Sequence, residues 1–365
     1  MLIGLFGTGR NGSSLIGRLL DGLQDTYVHP VEELFLTAFD DLAHRGRLTR
    51  LVVQNCTTHR LTHLDDTLST GLLGRYYRPS LDLLLKYCSE TVGPPSELRS
   101  LDLEDVLPRS SCTVEDFTRG YLGGIAARVR PDINFQHHLF KSIEVAYLAD
   151  YEQRFQDMKF VHILRDPVVV CSSQKRSLLE NKAVPASYLG YDWLTCMLDK
   201  RWLPHARFIA ERRGDPRHIV VRYEDLVAEP VIEIGKIAAG LGLMPPPRPS
   251  VQTIFHDLDK ANWGGNPSKK GVDSPTEVVA DLQKRNSYEE VLTQREIDLI
   301  AVKTRDLLPG LSYQSPSGAS LAEVRRQYLV PDKWEFMHCG RRPSYLARGL
   351  IGFVYRRAAL FRGRP

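Results

Sequence analysis

Leu2-Ile3-Gly4-Leu5-Phe6-Gly7-Thr8-Gly9-Arg10-Asn11-Gly12-Ser13-Ser14-Leu15-Ile16-Gly17-Arg18-Leu19-Leu20-Asp21 is the stretch from which the rest of the chain is read. Leu2 to Phe6 is a short apolar run with a β-branched and an aromatic residue, ended by Gly7, as in a core strand of a parallel sheet. Gly7, Gly9 and Gly12 allow tight curvature and close approach of a ligand to the backbone. Ser13 and Ser14 suit a helix start, and Leu15, Ile16, Leu19 and Leu20 recur at helical spacing. A strand, a glycine loop and a helix N-terminus together offer amide N–H groups to an anion, most often a phosphate. Arg10 adds a fixed positive charge whose guanidinium can hold two oxygens of a phosphate or sulfonate.

The loop alone admits several ligands. Gly7-Thr8-Gly9-Arg10-Asn11-Gly12 fits the dinucleotide fingerprint G-x-G-x-x-G, and Glu32 lies about 20 residues past Gly12, where a ribose-binding acid is sought. That makes an NAD-binding oxidoreductase a rival. The same residues approach the P-loop pattern of nucleotide kinases, but Ser13 stands where the phosphate-reaching lysine belongs, which disfavours an ordinary ATPase or GTPase. A ligand-free structural turn is the remaining alternative.

Composition narrows the class. The chain has 365 residues, 42% hydrophobic and 25% charged, values of an ordinary folded protein, and its net charge of +4 gives no ground for nucleic-acid binding. Cys56, Cys88, Cys112, Cys171, Cys196 and Cys339 are scattered without a C-x-x-C pair, so they read as reduced thiols, with no metal site or disulfide framework. Met1 leads directly into the first strand and no 18-residue apolar span follows, so a cytoplasmic location is expected.

Further strand and helix signals alternate along the chain. Asp25 to His29 reads as a short strand, after which Pro30-Val31-Glu32-Glu33 leaves the sheet edge. Residues 36–137 read as a largely helical insertion that covers the site. His138 to Ser142, Lys159 to Arg165 and His218 to Tyr223 read as strands, each followed by a helix, which predicts an α/β fold with a central parallel sheet. Pro245 to Pro249 is a stiff linker, Trp263 to Pro275 a Gly/Pro/Lys-rich loop, Glu289 to Leu308 a helix and Pro309 to Ser320 a further linker. A single domain over 1–320 is expected, with 321–365 a basic extension whose Tyr345 to Phe361 segment reads as an amphipathic helix able to touch an anionic inner membrane face.

Arg165-Asp166-Pro167, with Ser173 eight positions after the arginine, is a second phosphate-type constellation. Alone it reads as a capped strand-to-helix turn. Paired with Arg10-Asn11-Gly12-Ser13-Ser14, it resembles the family of sulfotransferases that use 3′-phosphoadenosine 5′-phosphosulfate. Val221-Arg222-Tyr223-Glu224-Asp225-Leu226 is similar to that family's Y-E-D-L stretch, Gly265-Asn266-Pro267-Ser268-Lys269 to the G-N-P loop of carbohydrate-type members, and Lys141-Ser142 to a K-[ST] strand end. Taken singly these three are a core tyrosine, a solvated turn and an exposed lysine.

The resemblance covers roughly residues 1–35 and 138–270 and implies a P-loop-like three-layer α/β/α fold. It implies that Gly9, Arg10, Asn11, Gly12, Ser13 and Ser14 hold the 5′-phosphosulfate. Arg165 and Ser173, joined by Asn266 and Lys269, would hold the 3′-phosphate, with Tyr223 near the adenine. Arg10 and Lys141 would stabilise charge on the leaving 3′,5′-adenosine bisphosphate, and no metal is required. The expected acceptor is a hydroxyl, a carbohydrate or glycoconjugate from the G-N-P loop. Ile143 follows Lys141-Ser142 where phenol-type members carry their basic histidine. Tyrosine-sulfating members use a glutamate of a G-E-E sequence instead, so Glu33 is the expected base, then Glu32, with His29, His137 and His138 in reserve.

Overall fold

The computed structural model describes residues 1–20, 22–23, 25–32, 113–129, 133–180, 194, 197–245, 288 and 290–327. They fall into two compact units, one of Met1–Leu164 with Arg212–Gln283 and one of Arg165–Glu211 with Lys284–Pro365.

The first unit is built on five strands: β1 (Leu2–Phe6), β2 (Thr26–Glu32), β3 (His137–Ser142), β4 (Lys159–Leu164) and β5 (His218–Arg222). They form one sheet in the order β2-β3-β1-β4-β5, with every pair parallel. All five residues of β1 are buried, which explains why this central strand reads as an unbroken apolar run rather than an alternating one. Ile3, Leu5, Leu139, Val161, Ile163 and Val221 face one side and pack with Leu15, Ile16, Leu19 and Leu20 of α1 (Ser13–Leu20). The same side holds Leu226 and Val227, and beyond them Ile234, Ile237, Ala238 and Leu241. Helix α2 (Val114–Val129) lies along β3, where Gly123 abuts His138, and α3 is Leu148–Arg154. The opposite side of the sheet is aromatic: Phe6 packs against Phe140, Phe160 and Tyr151 at centroid distances of 6.0, 5.7 and 4.9 Å. Helices thus cover both faces of a parallel sheet, the α/β architecture of P-loop-like folds.

In the second unit α4 (Pro167–Glu180) starts with Asp166, whose carboxylate accepts from the Val168 and Val169 amides at 2.8 and 3.4 Å, and Pro167 fills the first helical position. A turn of π-helix over Leu198–Trp202 leads into α5 (Leu203–Glu211). In the first unit, the strand expected to run to Tyr223 ends at Arg222, because Tyr223 already opens α6 (Tyr223–Ala228). Pro230 then starts α7 (Pro230–Leu241), and Gly242 closes it in the left-handed conformation at φ 72°.

Helix α8 (Gln294–Thr304) is shorter than expected, begun by a Thr293/Glu296 capping box. The expected linker over Pro309 to Ser320 is instead folded. Leu311 and Tyr313 are buried, and Ser317 Oγ donates to Asp298 Oδ1 at 2.7 Å. Helix α9 (Leu321–Gln327) packs along α8, and Gln327 Nε2 donates to Asp298 Oδ2 at 2.9 Å. No helix among the described residues is long and apolar enough to cross a membrane. The remainder of the insertion before Thr113, the linker after Pro245 and the Tyr345 to Phe361 segment lie outside the described residues.

Candidate functional site

The loop leaves β1 at the C-terminal edge of the sheet, where ligands of open parallel sheets bind. Gly9, Arg10 and Gly12 adopt φ values of 75°, 59° and 95°. For arginine this left-handed conformation costs roughly 1–2 kcal/mol, so the surrounding bonds must hold it. Asn11 supplies two of them from a fully buried side chain. Its Nδ2 donates to the Ile163 carbonyl of β4 at 2.8 Å, and its Oδ1 accepts from the Ser13 amide at 3.3 Å. The Gly12 carbonyl accepts from Leu15 and Ile16 at 2.9 and 3.0 Å, which starts α1, and the Gly7 amide donates to the Ser142 carbonyl at 3.2 Å. A side chain at Gly7 would strike the Asn11 amide, and one at Gly12 would strike the Tyr223 ring. Successive amides in such a turn, with the positive end of a helix behind them, form an anion nest.

Neighbouring strand ends bring other expected residues to this edge. Lys141 pairs with Leu5 across the β3–β1 ladder and with Glu32 across β2–β3, beyond a register shift between Val28 and Glu32. It is buried at 3% exposure, and Gly17 of α1 leaves room for its stem. The exposed-lysine alternative is thereby corrected: Lys141 is a buried cation at the edge of the loop. Tyr223 is both the core tyrosine of its alternative reading and a wall of the loop, since its ring lies on Gly12.

In the second unit, Arg165 directly follows β4 and is nearly buried, and its carbonyl accepts from Trp202 Nε1 at 2.9 Å. Ser173 is half-buried on α4, while Lys175 two residues on is committed to Glu296 at 2.7 and 2.9 Å. Ser13 is buried beside the loop. For Ser14 and Glu32 only the backbone position is described, and Glu33, Asn266 and Lys269 lie outside the described residues.

The reserve histidines separate by position. His137 and His138 open β3, so they stand at the opposite strand end from the loop, four to five residues and, at about 3.3 Å each, roughly 15 Å away. His137 lies 3.3 Å from the Met1 ammonium, and His138 is lowered to about 4 by burial and by the charges of that ammonium and Arg119. Both belong to the N-terminal edge and are ruled out as bases at the loop. His29 is buried inside β2, its Nδ1 3.3 Å from the Tyr27 hydroxyl.

With this geometry in place, comparison with known proteins decides the family. A family model described as "Sulfotransferase family" matches residues 3–246. The chain belongs to the sulfotransferase family. This sulfotransferase is similar in fold to the sulfotransferase domain from the Synechococcus PCC 7002 olefin synthase, at 18% identity and a TM-score of 0.52, covering 86% of this chain and 94% of that one. It is similar to a sulfotransferase domain from the curacin biosynthetic pathway at 17% identity and a TM-score of 0.49, over 86% of this chain and 97% of that one. No curated protein matches it.

Other polar clusters of the enzyme do different work. Glu152, Asp215 and His218 have ligand atoms within 4.8 Å of one another, the spacing of a metal site. Glu152, however, is held by Arg212 Nη2 at 2.8 Å and Arg217 Nη2 at 3.0 Å, and the Arg212 bond lowers its carboxyl pKa. The cluster is an ion-pair network at the start of β5. Cys171 is buried, and burial raises its thiol pKa well above the ordinary value, which keeps it an inert thiol.

Proposed function

We propose that the enzyme transfers a sulfonate group from 3′-phosphoadenosine 5′-phosphosulfate to a hydroxyl acceptor, a carbohydrate or glycoconjugate. The observation that carries the donor assignment is the glycine loop after β1, with left-handed Gly9, Arg10 and Gly12 beside the N-terminus of α1, in a chain of the sulfotransferase family. The dinucleotide alternative is disfavoured by the family match.

When bound, the nucleotide supplies an activated sulfonate: the acceptor oxygen bonds to sulfur as the sulfur–oxygen bond to the 5′-phosphate breaks, leaving that electron pair on the phosphate. The chain's contribution is positioning and charge stabilisation. Arg10, Ser13, Ser14 and the amides from Gly9 to Gly12 receive the 5′-phosphate and its growing charge. Lys141 adds a cation from β3. Arg165 and Ser173, with Asn266 and Lys269, take the 3′-phosphate, and Tyr223 supports the adenine end. Glu33 takes the acceptor's proton, with Glu32 beside it in sequence, and the Glu32–Lys141 register supports a base close to the loop.

The G-N-P stretch at Gly265 to Pro267 is the support for a glycan acceptor. The test of the catalytic assignment is turnover in two variants. Glu33→Gln should lower turnover by about two to four orders of magnitude, the usual worth of a general base, and leave bisphosphate affinity intact. Glu32→Gln should cost much less. Detection of one added sulfonate on candidate glycans by mass spectrometry identifies the acceptor, and full activity in both variants would contradict the carboxylate base.

A further inference from the structure

A buried acid follows the Lys141-Ser142 strand end, and the transfer chemistry above gives it no role. Glu144 is only 5% exposed, and its carboxylate accepts a hydrogen bond from the hydroxyl of Tyr151, which is completely buried. A carboxylate in such surroundings is costly unless it is hydrogen-bonded. A phenylalanine at position 151 would keep the ring packing but take this donor away from the buried Glu144 carboxylate. The Tyr151 ring lies 4.9 Å from Phe6 and 5.2 Å from Phe155 between centroids, so it is wedged against the last residue of β1.

One polar contact of Glu144 runs toward the loop. Its amide donates to Ser142 Oγ at 3.2 Å, and Ser142, the register partner of Phe6, accepts the Gly7 amide on its carbonyl at 3.2 Å. A continuous chain therefore connects Tyr151, Glu144 and Ser142 to Gly7, where the glycine loop begins. Phe6 on one side and Ser142 on the other are held by the same pair. Buried, satisfied polar pairs of this kind fix one geometry more sharply than apolar packing does.

We propose that Glu144 and Tyr151 are positioning residues for the sulfonate donor: they fix the Ser142 strand end, and through it the Gly7 end of the anion loop. The inference rests on the donor reading of that loop. Calorimetry of the full-length chain with 3′,5′-adenosine bisphosphate tests it, alongside thermal melting of the unliganded variants. Tyr151→Phe and Glu144→Ala should each weaken bisphosphate binding by about tenfold, the scale of one net hydrogen bond. Glu144→Gln keeps an acceptor oxygen for the tyrosine and should stay within about twofold of wild type. Phe155→Leu, which loosens the packing of the Tyr151 ring but leaves its hydroxyl in place, should lower the melting temperature with a smaller loss of affinity than Tyr151→Phe. Variants at 144 and 151 that melt earlier but bind the bisphosphate as wild type does would overturn the positioning role. So would a Tyr151→Phe protein equal to wild type in both measurements. A wild-type chain that ignores the bisphosphate would instead overturn the donor reading itself, whatever the variants do.

Discussion

Asn11 stands in the loop among residues expected to hold the donor, yet its amide group is spent on the protein. One side-chain bond reaches Ile163, 152 residues away in sequence, and the other caps the turn into α1. Asn11→Ala would orphan a buried carbonyl and a helix-start amide. It should cost about 1–3 kcal/mol of stability, read by chemical denaturation, and weaken bisphosphate binding through a looser loop. A variant of wild-type stability would contradict the anchoring role. The glycines and Arg10 were legible in the sequence because their backbone freedom and charge are properties of single residues. The partner of Asn11, the burial of Lys141 and the Glu144–Tyr151 pair were not, because each depends on which distant strand lies alongside. The exclusion of His137 and His138 has the same origin. Only the parallel direction of β3 shows that the two histidines and Ser142 occupy opposite edges of the sheet.

Among the elements, the strands were the most legible, since a parallel strand buried on both faces is a continuous apolar run. Boundaries were less so. β2 continues through Pro30 to Glu32, a residue type that normally argues against a strand interior, with a register shift where the ladder accommodates it. The Pro309 segment carries linker-type residues, but Leu311 and Tyr313 find burial and fold it. In α5, His205 is buried, and burial alone lowers its pKa from 6.5 to about 3. The folded state therefore prefers the neutral imidazole. Above pH 6.5 both states are neutral and the full stability is present; as pH falls, the unfolded chain binds a proton that the folded one refuses, down to about pH 3. Stability should fall by at most about 1.4 kcal/mol per pH unit from this group. Thermal melting of His205→Leu should show a flatter acid limb across that window, and parallel limbs for both proteins would contradict the assignment.

For the molecule as a whole, the family and the α/β fold were legible because two separated motifs, at Arg10 and at Arg165, both suit phosphate. The acceptor was not, since the insertion carries no recognisable chemistry. Arg341, Arg342, Arg348, Arg356, Arg357, Arg362 and Arg364 fall in the last 25 residues, and each basic group near an anionic lipid surface contributes about 1 kcal/mol. Deleting 341–365 should abolish flotation with anionic liposomes and leave donor binding unchanged; a full-length chain that never floats would contradict membrane contact. The donor assignment itself is tested most directly by calorimetry with 3′,5′-adenosine bisphosphate, adenosine 5′-monophosphate and NAD on wild type and Arg165→Ala. The expected result is preferential binding of the bisphosphate by wild type, a loss of about 2–4 kcal/mol for that ligand in the variant, and little change for the monophosphate. Retention of NAD with indifference to the bisphosphate, or equal losses for both adenosine phosphates, would contradict it.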